Sequence, residues 1–437
     1  MSVVPKLSRF KQNVLSKYQI YNSIFMTLPF DSITKTGVLL PLFHETCKKG
    51  FANGEDPTTI VDTFFKKYQA RRNKQSQINL LFRFIQYIER QVVLFDAIED
   101  AAFPIVNNME GIGTLRNLKE AAVSDNRLEE LKNYLEEFKV RIVLTAHPTQ
   151  FYPGSVLGII TDLTEAIKQN NLKEISNLFA QLGKTPFFKR EKPTPYDEAV
   201  SLIWYLENVF YKSFGTIYDY IQQNIFDGKH IENDIINIGF WPGGDRDGNP
   251  FVTPEITLKV AARLRETIIK NYHRDIRELR RKLTFSGVEQ RIIKLETELY
   301  NSITHQKSSL TLDSFTQELK EIKQLIIDQH QSLYVSQINS LLNKVHLFGF
   351  HFANLDIRQD SRKHAQFFNT LVTALIESGS IIFPENYFDL QEDQQIQVLS
   401  KVQGKVDLSL IKDEETLKAL HTMKAIKTIQ STNGQAA

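Results

Sequence analysis

Three passages place residues capable of proton or anion chemistry just beyond short apolar runs. In the first, Val140–Leu144 (VRIVL) leads into Thr145-Ala146-His147-Pro148-Thr149. An imidazole exchanges a proton near pH 7, which carboxylates and lysines do only after large pKa shifts. Read alone, His147 is either such a base or a histidine satisfied by backbone in a tight loop. The second is Gly243-Gly244-Asp245-Arg246-Asp247-Gly248-Asn249-Pro250. Paired glycines allow positive φ or close approach to a ligand. Arg246, between two aspartates, is either clamped structurally or held ready for an anion, and the Asp-Gly and Asn-Pro steps also suit a plain turn. The GxxxxGK[ST] pattern is missing, so a nucleotide P-loop is not the explanation. In the third, Asp356, Arg358 and Asp360 alternate after FHFANL. A strand would put all three on one face, with Ile357 and Gln359 opposite. Arg358 is then a buried ion-pair centre, or a phosphate ligand whose planar fork the aspartates orient. Lys189, Arg190 and Lys192 form either a solvated basic turn or part of the rim of an anionic site.

These passages need elements to position them. VRIVL is short and β-branched, and reads as a buried strand ending in a loop because the residue before Pro148 disfavours the α region. Ile235–Ile238 is a second strand-like run, and FGFHFANLDI, from Phe348 to Ile357, a third. Helical text separates them. Ile78, Leu81, Ile85, Ile88, Val92 and Phe95 recur at three and four, which predicts one face of a long helix ending near Pro104. Further helices are expected over Asp125–Phe138 and Asp197–Gln223. Thr253, Pro254 and Glu255 make a good helix start. Beyond them Ile256, Val260, Leu264, Ile268, Tyr272, Ile276, Leu279 and Leu283 form one stripe, opposite a face rich in arginine and lysine. Ser286 and Glu289 have the spacing of a capping box. The first 60 residues read as short helices and loops, and 384–405 as a loop or insertion.

With only 19 glycines and 14 prolines in 437 residues, the expected fold is mainly α-helical. Three strands each feeding a loop suggest a partial β/α (TIM-type) barrel with extensive helical additions. Three strands cannot close a barrel, so its completion is expected from a C-terminal half beyond Ala437. The expected domains are a helical or irregular region over 1–75 and the helix-rich N-terminal part of the barrel domain over 76–437. The net charge of +2, from 53 basic and 51 acidic residues, gives no general appetite for nucleic acid or anionic membranes. Cys47 is the only cysteine, so neither an intrachain disulfide nor a thiolate zinc site can form. The first residues lack the unbroken apolar stretch of a signal peptide, and nothing approaches 18 consecutive apolar residues, so a cytoplasmic location is expected.

Four strings, VLTAHPTQ (143–150), KREKPTPYDEA (189–199), GFWPGGDRDGNPFVT (239–253) and FGFHFANLDIRQDSRKH (348–364), resemble successive signatures of the phosphoenolpyruvate carboxylases, in that family's order. The resemblance covers the chain from about residue 75. It implies carboxylation of phosphoenolpyruvate with bicarbonate, giving oxaloacetate and phosphate in anaplerotic carbon fixation, and a need for Mg²⁺ or Mn²⁺. In that chemistry bicarbonate attacks the phosphoryl group, forming carboxyphosphate and the pyruvate enolate. His147 matches the family histidine that takes the proton from carboxyphosphate. Arg358 matches a phosphate-contacting arginine, and Arg246, Asp356 and Gln359 fall where residues bind substrate or line the site. The resemblance also implies a homotetramer at full length. Because family members are about twice as long, the metal carboxylates and further phosphate-binding arginines are expected in the C-terminal half. The chain alone is therefore expected to be inactive. A non-catalytic scaffold or regulatory homologue is the alternative, and phosphoryl transfer through His147 a further one. Two departures stand out: FYPGSV follows the histidine where arginines are usual, and Asn354 stands where arginine is common.

Overall fold

The structure, a computed structural model, describes residues 5–27, 36–109, 111–145, 152–187, 193–304 and 309–437. His147 and the basic turn Lys189, Arg190 and Lys192 lie outside the described residues. The chain divides into two compact units: one of residues 1–118 and 148–192, the other of 119–147 and 193–437.

The first unit is helical. Its spine is α1 (Lys74–Val106), 33 residues long, or about 50 Å at 1.5 Å per residue. The Asn73 side chain caps its start, accepting from the Ser76 amide at 2.9 Å. It ends at Val106, close to Pro104 as the sequence suggested. A proline in the last turn forfeits a single backbone bond, while buried Val106 and the Arg9 Nε donated to the Val106 carbonyl (3.0 Å) hold the turn. Leu94, Ala97 and Ile98 of α1 pack with Val156, Ile159 and Leu163 of α2 (Gly154–Lys168) and with Phe179 and Leu182 of α3 (Leu172–Lys184). The FYPGSV departure opens α2 directly: Pro153 is its N-cap residue, and Tyr152 meets Phe187 edge-on at 5.9 Å.

The buried face of α1 is not the one its periodicity suggested. Leu80, Phe84, Tyr87, Val93 and Leu94 are inside, whereas Ile78, Ile85, Ile88 and Val92 are exposed. Apolar residues lie on two sides of this helix, and its neighbours took the other side.

The second unit holds a sheet of three parallel strands, β1 (Val140–Leu144), β2 (Ile236–Phe240) and β3 (Asn354–Leu355), side by side in chain order. Ile142 pairs with Ile238, Leu144 with Phe240, and Phe240 with Leu355. Strand alternation puts these apolar residues on one face and Arg141, Val143, Asn237, Gly239 and Asn354 on the other. The chain passes from β1 to β2 through several helices, the last being α4 (Tyr211–Asn224), and from β2 to β3 through a set that starts with α5 (Pro254–Arg280) and ends with α6 (Val335–Phe348). The start of α5 follows the sequence: Thr253 accepts from the Ile256 amide, Pro254 opens the helix, and Val260, Leu264, Ile268, Tyr272, Ile276 and Leu279 are all buried.

Three local expectations are revised. The helix Glu289–Ile303 has no capping box, because the Phe285 carbonyl accepts the amides of both Val288 and Glu289 (3.1 Å each). The third strand is two residues long. Gly349 and Phe352 adopt positive φ, which breaks the extended run before Asn354. The segment 384–405 contains a helix, Glu392–Lys401.

Candidate functional site

The carboxyl ends of the three strands lie together. The Trp241 amide donates to Leu144 O (3.0 Å) and the Asp356 amide to Phe240 O (2.9 Å), which keeps the chains side by side past the last strand residues. Further on, the Arg358 amide donates to Gly244 O (3.2 Å) and the Arg246 amide to Arg358 O (3.0 Å). This bridge locks the loop after β2 to the chain leaving β3. It needs the glycines. Gly243 has φ +83°, and a Cβ at Gly244 would collide with the Asp356 carbonyl.

Arg358 is therefore fixed at its backbone, and its side chain is held from two sides. Its guanidinium donates to Asp245 Oδ2 at 3.0 Å, and its central carbon lies 3.8 Å from the Trp241 ring centroid. Stacking and one carboxylate orient the planar fork, while the side chain stays 41% exposed. A guanidinium so placed keeps donors for an incoming oxyanion.

Its two sequence neighbours do not orient it. The chain is no longer a regular strand after Leu355. Asp356 pairs with Arg141 of β1. Asp360 caps α7 (Ser361–Glu377) and binds Arg362 at 2.6 Å, which holds its carboxyl down at about 2. The aspartate on Arg358 is Asp245, from the other loop, so Arg246 is not clamped between Asp245 and Asp247. Arg246 instead donates to Thr257 Oγ1 (2.7 Å) and Gly244 O (3.2 Å). Burial lowers its pKa. Neutral groups thus support its charge, and no carboxylate pairs with it among the described residues. Gln359 turns back to accept the Asp360 amide through Oε1 (2.9 Å).

Arg141, Trp241, Asp245 and Thr257 complete this arrangement, and of these only Asp245 had drawn notice. Arg141 carried a signal: it is a charge at an alternate position of an apolar strand. It reaches Asp356 across the middle strand because Gly239 lies between them. A Cβ there would stand 2.7 Å from Asp356 Oδ2 and 2.9 Å from Arg141 Nε. Asn354 donates its side-chain amide to the Ala436 carbonyl.

A cleft of about 730 Å³ opens beside these loops, between the start of α5, α7 and α8 (Glu414–Asn433). Arg246, Ile357 and Gln359 reach it, but Arg358, Asp356 and Arg141 do not. It therefore neighbours the strand exits rather than forming the space they share. Among the described residues no group of three or more His, Cys, Asp or Glu could hold a metal ion. No helix there is long and apolar enough to cross a membrane.

The chain matches the family model described as phosphoenolpyruvate carboxylase over residues 100–312 and 290–437. It is similar to the phosphoenolpyruvate carboxylase of Shewanella sediminis (strain HAW-EB3), with 28% identity over 326 residues, covering 63% of this chain and 36% of the relative. For that of Shewanella loihica (strain ATCC BAA-1088 / PV-4) the values are 27% over 357 residues, 70% and 40%. For that of Prochlorococcus marinus subsp. pastoris they are 26% over 362 residues, 65% and 36%. The chain spans well under half the length of these relatives.

Proposed function

This chain belongs to the phosphoenolpyruvate carboxylase family, and we propose that it supplies the histidine base and one cationic wall of an enzyme converting phosphoenolpyruvate and bicarbonate to oxaloacetate and phosphate. The observation that carries this reading is Arg358. It leaves β3 with its backbone bridged to Gly244 and Arg246 and its guanidinium stacked on Trp241, ion-paired to Asp245 and still accessible. Together with Arg246 on the adjoining loop, it puts two guanidiniums on neighbouring strand exits. That is a setting for the phosphate of one substrate and the charge that develops as it is transferred. Asp356 and Gln359 line this side of the site, the first through its pair with Arg141. His147, three residues past the exit-linked Leu144, is the group that takes the proton from carboxyphosphate.

Parallel strands paired in chain order, with helices between them and a polar face opposite the apolar one, support a partial β/α barrel whose polar face looks inward. The barrel is completed, and oxaloacetate made, only together with a C-terminal half like the remainder of the longer relatives. The full-length enzyme is a cytoplasmic homotetramer. The carboxylates here do not fit Mg²⁺ or Mn²⁺, since Asp245, Asp356 and Asp360 each face an arginine. The ligands of the metal are assigned to the C-terminal half.

The test is oxaloacetate formation, read by coupled reduction to malate, with the chain alone and joined to the C-terminal half of a relative. The chain alone should be silent and the joined protein active. Arg358→Lys should lower kcat/KM at least 100-fold, because a point charge cannot reproduce the fork. His147→Asn should abolish turnover. Full activity of the joined His147→Asn protein, or turnover by the chain alone, overturns the assignment.

A further inference from the structure

Three strands meet at one ion pair on the polar face of the sheet. Arg141 of β1 reaches over Gly239 of β2 and donates through Nη2 to Asp356 Oδ1, just past β3. Gly239 is not among the residues with positive φ, so its backbone does not require glycine. The requirement is space: a Cβ there would stand 2.7 Å from Asp356 Oδ2, 2.9 Å from Arg141 Nε and 3.1 Å from Arg141 Nη2. The two side chains are 47% and 22% exposed, and a pair so open to water adds little to stability by itself. Its placement has another reason.

That reason is the residue two positions on. The Asp356 and Arg358 amides both donate to the chain that leaves β2, at Phe240 O (2.9 Å) and Gly244 O (3.2 Å). Residues two apart that turn their amides to the same neighbour send their side chains to one side. Asp356 is therefore a rival to Asp245 for the Arg358 guanidinium. Asp360, two positions beyond Arg358, is already held by the side chain and amide of Arg362 at the start of α7. With both neighbours engaged elsewhere, Arg358 keeps one carboxylate, Asp245, and the Trp241 ring against its face. A guanidinium shared between two carboxylates has fewer donors for an incoming anion, and a free carboxylate beside it repels one. We propose that Arg141 is a positioning residue for Arg358. It engages Asp356 across Gly239 and so keeps that carboxylate off the guanidinium, which stays on Trp241 and Asp245 with donors open to the substrate's phosphate. The identity of that anion rests on the carboxylase reading; the placement of Arg358 does not.

Trp241 reports on Arg358 in the whole chain without any ligand. With Trp204→Phe it is the sole tryptophan, and Arg358→Met gives its emission without the stacked guanidinium. Arg141→Met should move the emission more than halfway from the parent value to that of Arg358→Met, because the released Asp356 draws Arg358 away. Adding Asp356→Asn should return it to the parent value, and Asp356→Asn by itself should leave it there. A pair that served only stability would not be rescued by removing its second member. In the chain joined to the C-terminal half of a relative, Arg141→Met should raise KM for phosphoenolpyruvate about tenfold with kcat within about threefold, and adding Asp356→Asn should reverse the rise. The proposal fails if Arg358→Met does not change the emission, if Arg141→Met leaves it at the parent value, or if the double variant stays displaced. It also fails if Asp356→Asn alone displaces the emission, or if KM stays unchanged in an active joined protein. A joined parent without turnover overturns the carboxylase reading instead, and the emission still decides the placement of Arg358.

Discussion

The two longest helices, α1 in the first unit and α5 in the second, are built on different plans. α5 has one apolar stripe and buries it, with arginine and lysine around the rest. α1 has apolar residues on two sides and buries only one, and that buried side includes a charge. Arg90 is 6% exposed and donates to Leu182 O (3.0 Å), Thr185 O (3.0 Å) and Gln86 O (2.8 Å), with its guanidinium 4.5 Å from the Phe187 ring centroid. A helix with one stripe is finished by the unit that contains it. A helix with two leaves one of them exposed among the described residues.

The strongest way to break this contrast is Ile268→Ala on α5. Removing a fully buried side chain should cost about 2–5 kcal/mol, read by urea unfolding. Both tryptophans, Trp204 and Trp241, belong to the second unit, so fluorescence follows that unit and circular dichroism follows both. Acid comes next. Burial pushes His351 in the second unit down to about 4. Its folded pKa lies below the ordinary 6.5, so its contribution is full above pH 6.5 and is lost as pH falls toward 4, by roughly 2–3 kcal/mol. Glu89 and Asp96 in the first unit have raised pKa values, so protonation relieves them. Between pH 7 and 4.5 the fluorescence midpoint should therefore fall further than the dichroism midpoint, and a reversed order would contradict the assignment. Arg90→Met should cost about 2 kcal/mol, seen in dichroism alone, because the buried Leu182 carbonyl and the half-buried Thr185 carbonyl lose their donor. Smallest of all, Ile85→Ala on the outer face of α1 should stay within about 0.5 kcal/mol. A larger loss would mean that this face is already covered within the chain.

The same contrast decides what could be read in advance. The α5 stripe left one choice of inner face, and the extent of β1 and the Thr253 cap were equally legible because each depends on a few adjacent residues; the expected burial of β1 was not met, since its residues are exposed or half-buried. The α1 row gave a correct period and the wrong side, since periodicity does not name the neighbours. At the site, the residues after β2 and β3 were legible but their pairing was not. Alternation assigned Asp356 and Asp360 to Arg358 on the assumption of a continuing strand. The chain leaves extended pairing after Leu355, and Asp245 takes the place from a loop more than 100 residues earlier. Arg141 and Gly239 form a single device split between two strands, visible only once the register is known.

The backbone bridge between Arg358 and Gly244 has a mechanical side. Arg246 ties that bridge to Thr257, whose hydroxyl donates to the Gly243 carbonyl at 2.7 Å in the first turn of α5. From there α5 runs 27 residues, a stiff rod of about 40 Å, and its Tyr272 hydroxyl donates to Gly349 O (2.7 Å), just upstream of β3. Arg358 is thus gripped at both ends of a closed loop: directly by its amide and carbonyl, and from behind through the rod. A tug on its guanidinium is shared by the whole ring of contacts, so the anion-facing tip is braced like the keystone of an arch.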